Sequence, residues 1–243
     1  MHNEEEVAER CTRRVCAELM RFSAQRTALI VVDDASDDAT PRILSRVGGT
    51  TGCDRLTVLT HGRNAGYGGA LKTGSFHAAR EGFDYVLFMD SDLTNDPGDI
   101  GKFVEKMRSG FDVIKASRYC RGGAVVGVPW WRRLISNVGN RVASVLYGRA
   151  VRDCTNGFRA IRVDLLARMT LVENGFAVIL EELYQARLLG ARICEIPYAL
   201  TARPRYGKAS SFVYRPQVFY LYLKYPILSA LGHRRCLEPA RRP

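Results

Sequence analysis

The chain has 243 residues, a formal net charge of +11 and 47% hydrophobic residues. This length allows one large α/β domain or two small ones, and the hydrophobic fraction is normal for a globular protein with a sizeable core. The basic balance favours anionic partners, namely nucleic acid, an anionic membrane or phosphorylated substrates.

The seven cysteines are scattered and form no CxxC pair. The sequence therefore indicates neither a zinc site nor a disulfide framework, and reduced thiols are the simplest interpretation. Three of the first six residues are glutamates, which is unlike a signal peptide. No apolar run reaches the roughly 18–20 residues that span a bilayer. We expect neither a signal peptide nor a transmembrane helix.

Apolar runs and turn residues alternate along the chain. Strands are predicted over residues 28–32, 56–59, 85–89, 112–116 and 192–198. Helices are predicted over residues 3–21, 41–47, 70–79, 97–109, 129–147 and 181–189. Glycine-rich, polar and basic loops are predicted over residues 61–70, 153–162 and 203–208. The β-α-β-α alternation predicts an α/β fold, in which helices flank a mostly parallel sheet.

The C-terminal part has a different character. Residues 212–231 are rich in tyrosine, phenylalanine and leucine, and Lys224 and Pro226 interrupt them. We interpret residues 1–211 as the α/β domain and residues 212–243 as an amphipathic membrane-interface segment with a basic tail. The alternative is an ordinary core-packing helix followed by a loose tail.

Two predicted strands deliver carboxylates to the same edge of the sheet. Asp33 and Asp34 follow one strand, and Asp90 and Asp92 follow another. Ligands of open α/β sheets bind at the carboxyl ends of strands, and two close carboxylates repel each other unless a cation binds between them. Asp90 and Asp92 therefore predict a divalent metal that carries phosphate oxygens, and the first pair could accept hydrogen bonds from a nucleoside. The alternative for both pairs is turn formation or helix capping.

The remaining polar motifs are weak when taken one at a time. The glycine-rich residues 64–69 allow close backbone approach, but they lack both the Walker ending and the GxGxxG fingerprint. Basic side chains that suit phosphate recognition are Arg118, Arg132, Arg205 and Lys208. The alternative for each is a solvated basic surface. The sequence contains no zinc finger, RNP stretch or basic zipper, so a nucleic-acid partner would rest on charge alone and is not expected.

Together, the order and spacing of these motifs resemble the family 2 glycosyltransferases of the GT-A fold. The shared segments are NEE at 3–5, VVDDAS at 31–36, RNAGYG at 63–68 and DSDL at 90–93. Further segments narrow the resemblance to the dolichol- or polyprenyl-phosphate mannosyltransferase branch. These are ASRY at 116–119, GG at 122–123, PWWRR at 129–133, DCTNGFR at 153–159 and RYGK at 205–208. The resemblance extends to about residue 224.

The resemblance implies a role for each matching residue. Those expected to bind the nucleoside are Glu4, Val32 and Asp34. Those expected at the diphosphate are Asp90, Ser91 and Asp92, the two acids through Mg²⁺ or Mn²⁺. Those expected to bind the donor diphosphate and the acceptor phosphate are Arg118, Arg132, Arg205 and Lys208. Asp92, Arg118 and Arg132 would act in catalysis, Glu181 would face the sugar or the metal, and Asn64 belongs to the donor loop.

The sequence departs from the family pattern at three places. Thr94 replaces the usual glutamine, which leaves the third metal ligand open, and Ala209 and Ser210 replace a Ser-Lys pair. Met1 and His2 stand where the family has the last residues of an apolar first strand. We therefore expect the first strand to be missing and the natural chain to begin upstream. The alternative is that another segment or the first helix fills the gap.

The resemblance implies inverting transfer of a sugar from a nucleotide-sugar to a polyprenyl or dolichyl phosphate. The expected donor is GDP-mannose, and the expected location is peripheral, on the cytoplasmic face of a membrane. One alternative is a UDP-sugar donor of the glucose type. Another is an inactive, truncated relative that binds nucleotide without turnover.

Overall fold

The α/β class that the sequence predicts is confirmed, with element bounds that shift by a few residues. The computed structural model describes residues 1–50, 55–201 and 216–237. The strands are β1 (Leu29–Asp33), β2 (Leu56–Thr60), β3 (Tyr85–Phe88), β4 (Val113–Ser117), β5 (Ala124–Val125), β6 (Arg159–Arg162), β7 (Ile193–Pro197) and β8 (Ala199–Leu200). The helices are α1 (Ala8–Leu19), α2 (Thr40–Thr50), α3 (Gly66–Arg80), α4 (Ile100–Arg108), α5 (Trp130–Leu146), α6 (Val163–Ala167), α7 (Val178–Leu188) and α8 (Pro216–Leu237). A 3₁₀ turn at Pro97–Asp99 precedes α4.

The described strands form three separate sheets. β1 and β2 pair in parallel, β3, β6, β4 and β7 form a four-stranded sheet in that order, and β5 pairs with β8. β6 runs antiparallel to both of its neighbours, whereas β4 and β7 are parallel. The larger sheet is therefore mixed, although three of the five described strand pairings are parallel.

Residues 159–162 form strand β6, whereas the sequence predicts a polar loop over residues 153–162. Arg159 and Arg162 at its ends have the composition of a loop, yet the strand lies inside the four-stranded sheet. Ala160 and Ile161 are buried, and the guanidinium of Arg159 is buried against the carboxylate of Glu182. Because Glu182 belongs to α7, no local pattern reveals that this arginine has a partner in the core.

A cleft separates β1 from β3, at the place where the sequence predicts a missing strand. Residues 28–32 and 84–90 line its two sides. Met1 lies at one end, where its ammonium donates to the Val32 carbonyl at 2.6 Å and its carbonyl accepts from the Asp34 N–H at 2.8 Å. This pair of bonds is the pattern of parallel strands, so Met1 extends the β1 sheet into the cleft by one residue.

Two helices connect the sides of the cleft. Leu29 of β1 and Leu87 of β3 pack in one apolar cluster with Cys11 and Val15 of α1. Helix α3 contacts both β1 and β3. Side-chain packing on helices therefore joins the two sheets.

The N-terminal segment differs from the prediction in two ways. The helix begins at Ala8, because Asn3 has a φ of 54° and accepts a hydrogen bond from the Asp37 N–H at 2.9 Å instead of capping a helix. Cys16 is disulfide-bonded, which corrects the interpretation that the thiols are reduced. Sequence spacing alone says nothing about which distant cysteines meet in space. The free thiols among the described residues are Cys11, Cys120, Cys154 and Cys194.

Helices α5, α7 and α8 pack together in the second half of the chain. Tyr147, Leu180 and Tyr225 lie in one buried cluster between them. The predicted boundary at residues 211 and 212 lies outside the described residues. Across the described ranges, none of the helices combines the length and hydropathy needed to cross a membrane.

Candidate active site

A cavity of about 2250 Å³ opens beside the ends of β1 and β3 and continues into the cleft between them. Most of the residues that the sequence predicted for the site line this cavity. They are Glu4, Val32, Asp34, Asn64, Asp90, Ser91, Asp92, Thr94, Arg118 and Arg132. Arg205 and Lys208 lie outside the described residues, and Glu181 is not part of the cavity wall. Fold topology thus brings carboxylates and guanidinium groups from distant segments into one space.

Both acidic strand ends are followed by a residue in the left-handed region. Ala35 has a φ of 58° and Leu93 a φ of 59°. Such conformations cost about 1–3 kcal/mol each for residues with a side chain, so the surrounding structure must hold them. For Leu93 that support is visible, because its side chain is buried in the cluster beneath α1.

The turn that carries Asp90 and Asp92 is braced by hydrogen bonds. The Asp92 Oδ1 atom accepts from the Thr94 N–H at 3.0 Å and from the Thr94 hydroxyl at 2.6 Å. The Asp90 N–H donates to Asn95 Oδ1 at 2.9 Å, and Asn95 donates to the Tyr198 hydroxyl at 3.1 Å. The Tyr198 hydroxyl donates in turn to the Thr94 carbonyl at 2.5 Å. Thr94, at the position in doubt as a metal ligand, therefore orients one oxygen of Asp92.

Asp34 joins β1 to the glycine-rich loop. Its carboxylate accepts from the N–H groups of Ala65 at 2.8 Å and Gly66 at 2.9 Å, and His61 Nδ1 lies 2.6 Å from it. Burial acts to raise the pKa of Asp34, but these three partners outweigh burial and hold the pKa below its ordinary value. An ionised carboxylate has about four acceptor positions, so this network still allows Asp34 a further hydrogen bond from a ligand.

Arg118 is held by a carboxylate that the sequence analysis did not single out. Its Nε and Nη2 atoms donate to the two oxygens of Asp153, both at 2.7 Å, and its backbone N–H donates to the same group at 2.9 Å. Burial opposes the charge of both side chains, yet each partner outweighs burial, so the pKa of Asp153 is lowered and the pKa of Arg118 is raised. The fork fixes the guanidinium in the cavity wall. No described residue accepts a hydrogen bond from Nη1.

Glu181 occupies a different place from the one expected. Its buried carboxylate accepts from the backbone N–H groups of Val172 and Glu173, both at 3.0 Å. The neighbouring Asn174 carbonyl accepts from the Gly68 N–H at 2.7 Å. Glu181 therefore supports the loop that packs on the start of α3.

Gly157 and Tyr67 adjoin the acids, although no role was predicted for them. A Cβ atom on Gly157 would lie 3.3 Å from each carboxylate oxygen of Asp90 and 2.8 Å from the Tyr67 hydroxyl. Both residues fall within shared segments, at 63–68 and 153–159. A motif match could therefore flag them, but only the packing shows what they touch.

Residues 1–170 match the family described as Glycosyl transferase family 2. This match spans more than half of the chain, so the chain belongs to that family. It is therefore a glycosyltransferase, and its fold is GT-A-like.

Curated relatives have lipid-phosphate mannosyltransferase names. The chain is 29% identical to a polyprenol monophosphomannose synthase of Mycolicibacterium smegmatis over 72% of this chain and 67% of that protein. It is also 29% identical to an undecaprenyl-phosphate mannosyltransferase of Micrococcus luteus, over 76% of each chain. A dolichol-phosphate mannosyltransferase of Pyrococcus furiosus is 28% identical over 73% of this chain and 49% of that protein.

Solved structures of similar fold include a glucosyl-3-phosphoglycerate synthase from Mycobacterium tuberculosis. Its complex with Mn²⁺, UDP and glucosyl-3-phosphoglycerate has a TM-score of 0.62 and 20% identity, over 99% of this chain and 79% of that chain. Its complex with Mg²⁺ and UDP has a TM-score of 0.61 and 18% identity, over 99% and 78%. At this identity the likeness shows the fold alone.

Proposed function

We propose that this glycosyltransferase moves mannose from GDP-mannose to a polyprenyl or dolichyl phosphate. The observation that carries the proposal is that acids, arginines and apolar helix residues line one cavity. Its wall includes Asp90, Asp92, Arg118 and Arg132, together with Leu134 and Val138 of α5. The phosphates of a nucleotide-sugar and of a lipid phosphate would suit the arginines, and the lipid chain would suit the apolar residues.

Asp90 and Asp92 fit a Mg²⁺ or Mn²⁺ ion. Hard divalent cations take oxygen ligands and commonly bind through one or two carboxylates together with substrate phosphates. Among the described residues no group of three or more His, Cys, Asp or Glu side chains could hold a metal by itself. The pair of acids therefore suits an ion that completes its ligand set with diphosphate oxygens and water. When bound, such an ion would neutralise charge on the diphosphate.

The donor would lie along the strand ends. Glu4, Val32 and Asp34 would contact the nucleoside. Asn64 would contact the donor from the adjoining glycine-rich loop. Part of this surface is already engaged, since the Val32 carbonyl accepts from the Met1 ammonium. Arg205 and Lys208, which lie outside the described residues, remain predicted phosphate ligands.

The chemistry needs charge stabilisation more than proton transfer. As the bond from the sugar to the diphosphate breaks, its electron pair stays on the leaving diphosphate, and positive groups in the site stabilise that charge. Arg118 and Arg132 supply such charge. The acceptor phosphate is already an anion, so its oxygen can attack the anomeric carbon without a general base. Attack from the face opposite the diphosphate inverts the anomeric centre.

The acceptor would reach the site from a membrane surface. Helix α5 exposes an apolar row beside three arginines. Its members are Trp130, Trp131, Leu134, Ile135, Val138, Val142 and Val145. Such a helix can lie in the lipid interface with basic groups near anionic headgroups. Helix α8 adds exposed Tyr220, Leu223 and Ile227. Peripheral contact with the cytoplasmic face of a membrane is part of this proposal.

A donor screen tests the proposal. The chain is incubated with polyprenyl phosphate in anionic liposomes and with radiolabelled GDP-mannose or UDP-glucose, with or without Mn²⁺, and lipid-extractable label is counted. Label from GDP-mannose alone is expected. Label from UDP-glucose alone would favour the glucose-type alternative. Nucleotide binding without lipid-linked label from any donor would support an inactive nucleotide-binding relative.

A further inference from the structure

Gly157 lies at a point where two other functional groups converge. A Cβ atom there would come 2.8 Å from the Tyr67 hydroxyl, which is closer than side-chain carbons approach other atoms. The same atom would lie 3.3 Å from both oxygens of Asp90. The backbone of Gly157 is not in the left-handed region, so the glycine is needed here for space and not for its conformation.

Arg159 holds the backbone of Gly157 in place. Its Nη1 atom donates to the Gly157 carbonyl at 2.7 Å. Its Nε and Nη2 atoms donate to Glu182 of α7 at 2.5 and 2.7 Å, and both side chains are almost fully buried. The guanidinium also lies 4.5 Å from the ring centre of Phe88, the last residue of β3. Arg159 thus ties the Gly157 backbone to the strand that leads to Asp90.

Tyr67 completes the arrangement from α3. Burial and the nearby Asp90 carboxylate raise the pKa of the Tyr67 hydroxyl, and the nearby Arg159 guanidinium lowers it. The Tyr67 ring packs on Phe176 with 4.6 Å between centroids. The Tyr67 hydroxyl and the Gly157 backbone therefore both border the space beside the Asp90 carboxylate and limit where it can turn.

We propose that Tyr67 and Gly157, whose carbonyl Arg159 binds, are positioning residues that fix the orientation of the Asp90 carboxylate for a divalent metal ion. This inference rests on the proposed function, in which Asp90 binds the metal of a nucleotide-sugar. Groups that orient metal ligands from outside the ligand set commonly change metal affinity or activity by about 10–100-fold when they are replaced.

The test compares Gly157→Ala and Tyr67→Phe with the matched controls Gly175→Ala and Tyr184→Phe. A Cβ on Gly175 meets nothing within 4 Å, and Tyr184 lies outside the cavity wall, where its ring packs on Tyr225. Mn²⁺ affinity is measured by the electron paramagnetic resonance signal of free Mn²⁺, with GDP or UDP present, and melting curves report folding. We expect both test variants to bind Mn²⁺ about 10–100-fold more weakly and to lose kcat, while both controls behave like the original chain.

Tyr67→Phe decides the test if Gly157→Ala does not fold, because it removes only one hydroxyl. Unchanged Mn²⁺ affinity in folded Tyr67→Phe and Gly157→Ala overturns the inference. If the original chain transfers sugar but binds no Mn²⁺, the inference fails and sugar transfer stands. If the original chain transfers no sugar but binds Mn²⁺ with nucleotide, and the variants lose that binding, the inference stands and the proposed transfer fails.

Discussion

Replacing Asp153 with alanine should destabilise the chain far more than removing an exposed acid. The substitution removes the acceptor of three Arg118 N–H groups, at 2.7, 2.7 and 2.9 Å, and leaves a largely buried guanidinium without its partner. Breaking a buried pair in this way costs about 3–5 kcal/mol. In a chain of this size each kcal/mol lowers Tm by roughly 2–4 °C, so Asp153→Ala should melt roughly 6–20 °C lower.

Differential scanning calorimetry checks this prediction against Glu105→Ala. The Glu105 side chain is 72% exposed and its ion pair with Lys106 spans 3.2 Å, so its loss should cost about 0–1 kcal/mol. The pKa of Asp153 is held below its ordinary value of 3.8. Its stabilisation is therefore present above about pH 4 and declines as pH falls through the folded-state pKa. The gap between the original chain and Asp153→Ala should narrow in acid. Equal Tm values for the two variants at pH 7 would refute this reasoning.

Four other substitutions or additions test the rest of the structure. Burial, with Arg159 nearby, lowers the pKa of Lys115 from 10.5 to about 8, so the folded chain loses this proton first and the contribution of Lys115 to the unfolding free energy should rise from pH 8 to about 10. In urea titrations, the unfolding free energy of the original chain should therefore increase relative to that of Lys115→Met over this range. Asp92→Asn should fold normally but lose most transfer activity, whereas Glu105→Gln should keep its activity. Full activity of Asp92→Asn, or full activity of the original chain in excess chelator, contradicts a metal role. Trp130 is 76% exposed, so Trp130→Glu should weaken flotation with anionic liposomes at low salt. Unchanged flotation would contradict membrane contact through α5. A designed apolar strand of about five residues fused ahead of Met1 should raise Tm if it fills the cleft, and a proline-rich fusion of the same length should not.

The features of the candidate site that can be located from sequence are those that local pattern determines. A buried apolar run followed by carboxylates marks a strand end wherever it occurs, so the acids after β1 and β3 could be found without a structure. The cavity also contains Arg118 and Arg132, as the shared segments suggested.

What sequence could not supply is the partner of each charge. In the sequence Arg159 has the character of a loop residue, because its ion-pair partner Glu182 lies on another element, and local pattern therefore does not indicate β6. Glu181 looks like a site acid, but it accepts bonds from the Val172 and Glu173 backbones. Hydrogen-bond partners that lie on other elements carry no local signal, and they decide whether a charged side chain faces a ligand or supports a loop.

The cleft between β1 and β3 has a consequence for cooperativity. The described strands on its two sides share no backbone ladder, so β1 and β2 can open as a subglobal unit while the four-stranded sheet stays folded. Amide hydrogen exchange should then show two protection levels, with lower values for β1 and β2. A ligand that contacts both Asp34 and Asp90 would join the two units, because binding only the closed form stabilises it. Nucleotide binding should therefore make the two units unfold together in one cooperative transition.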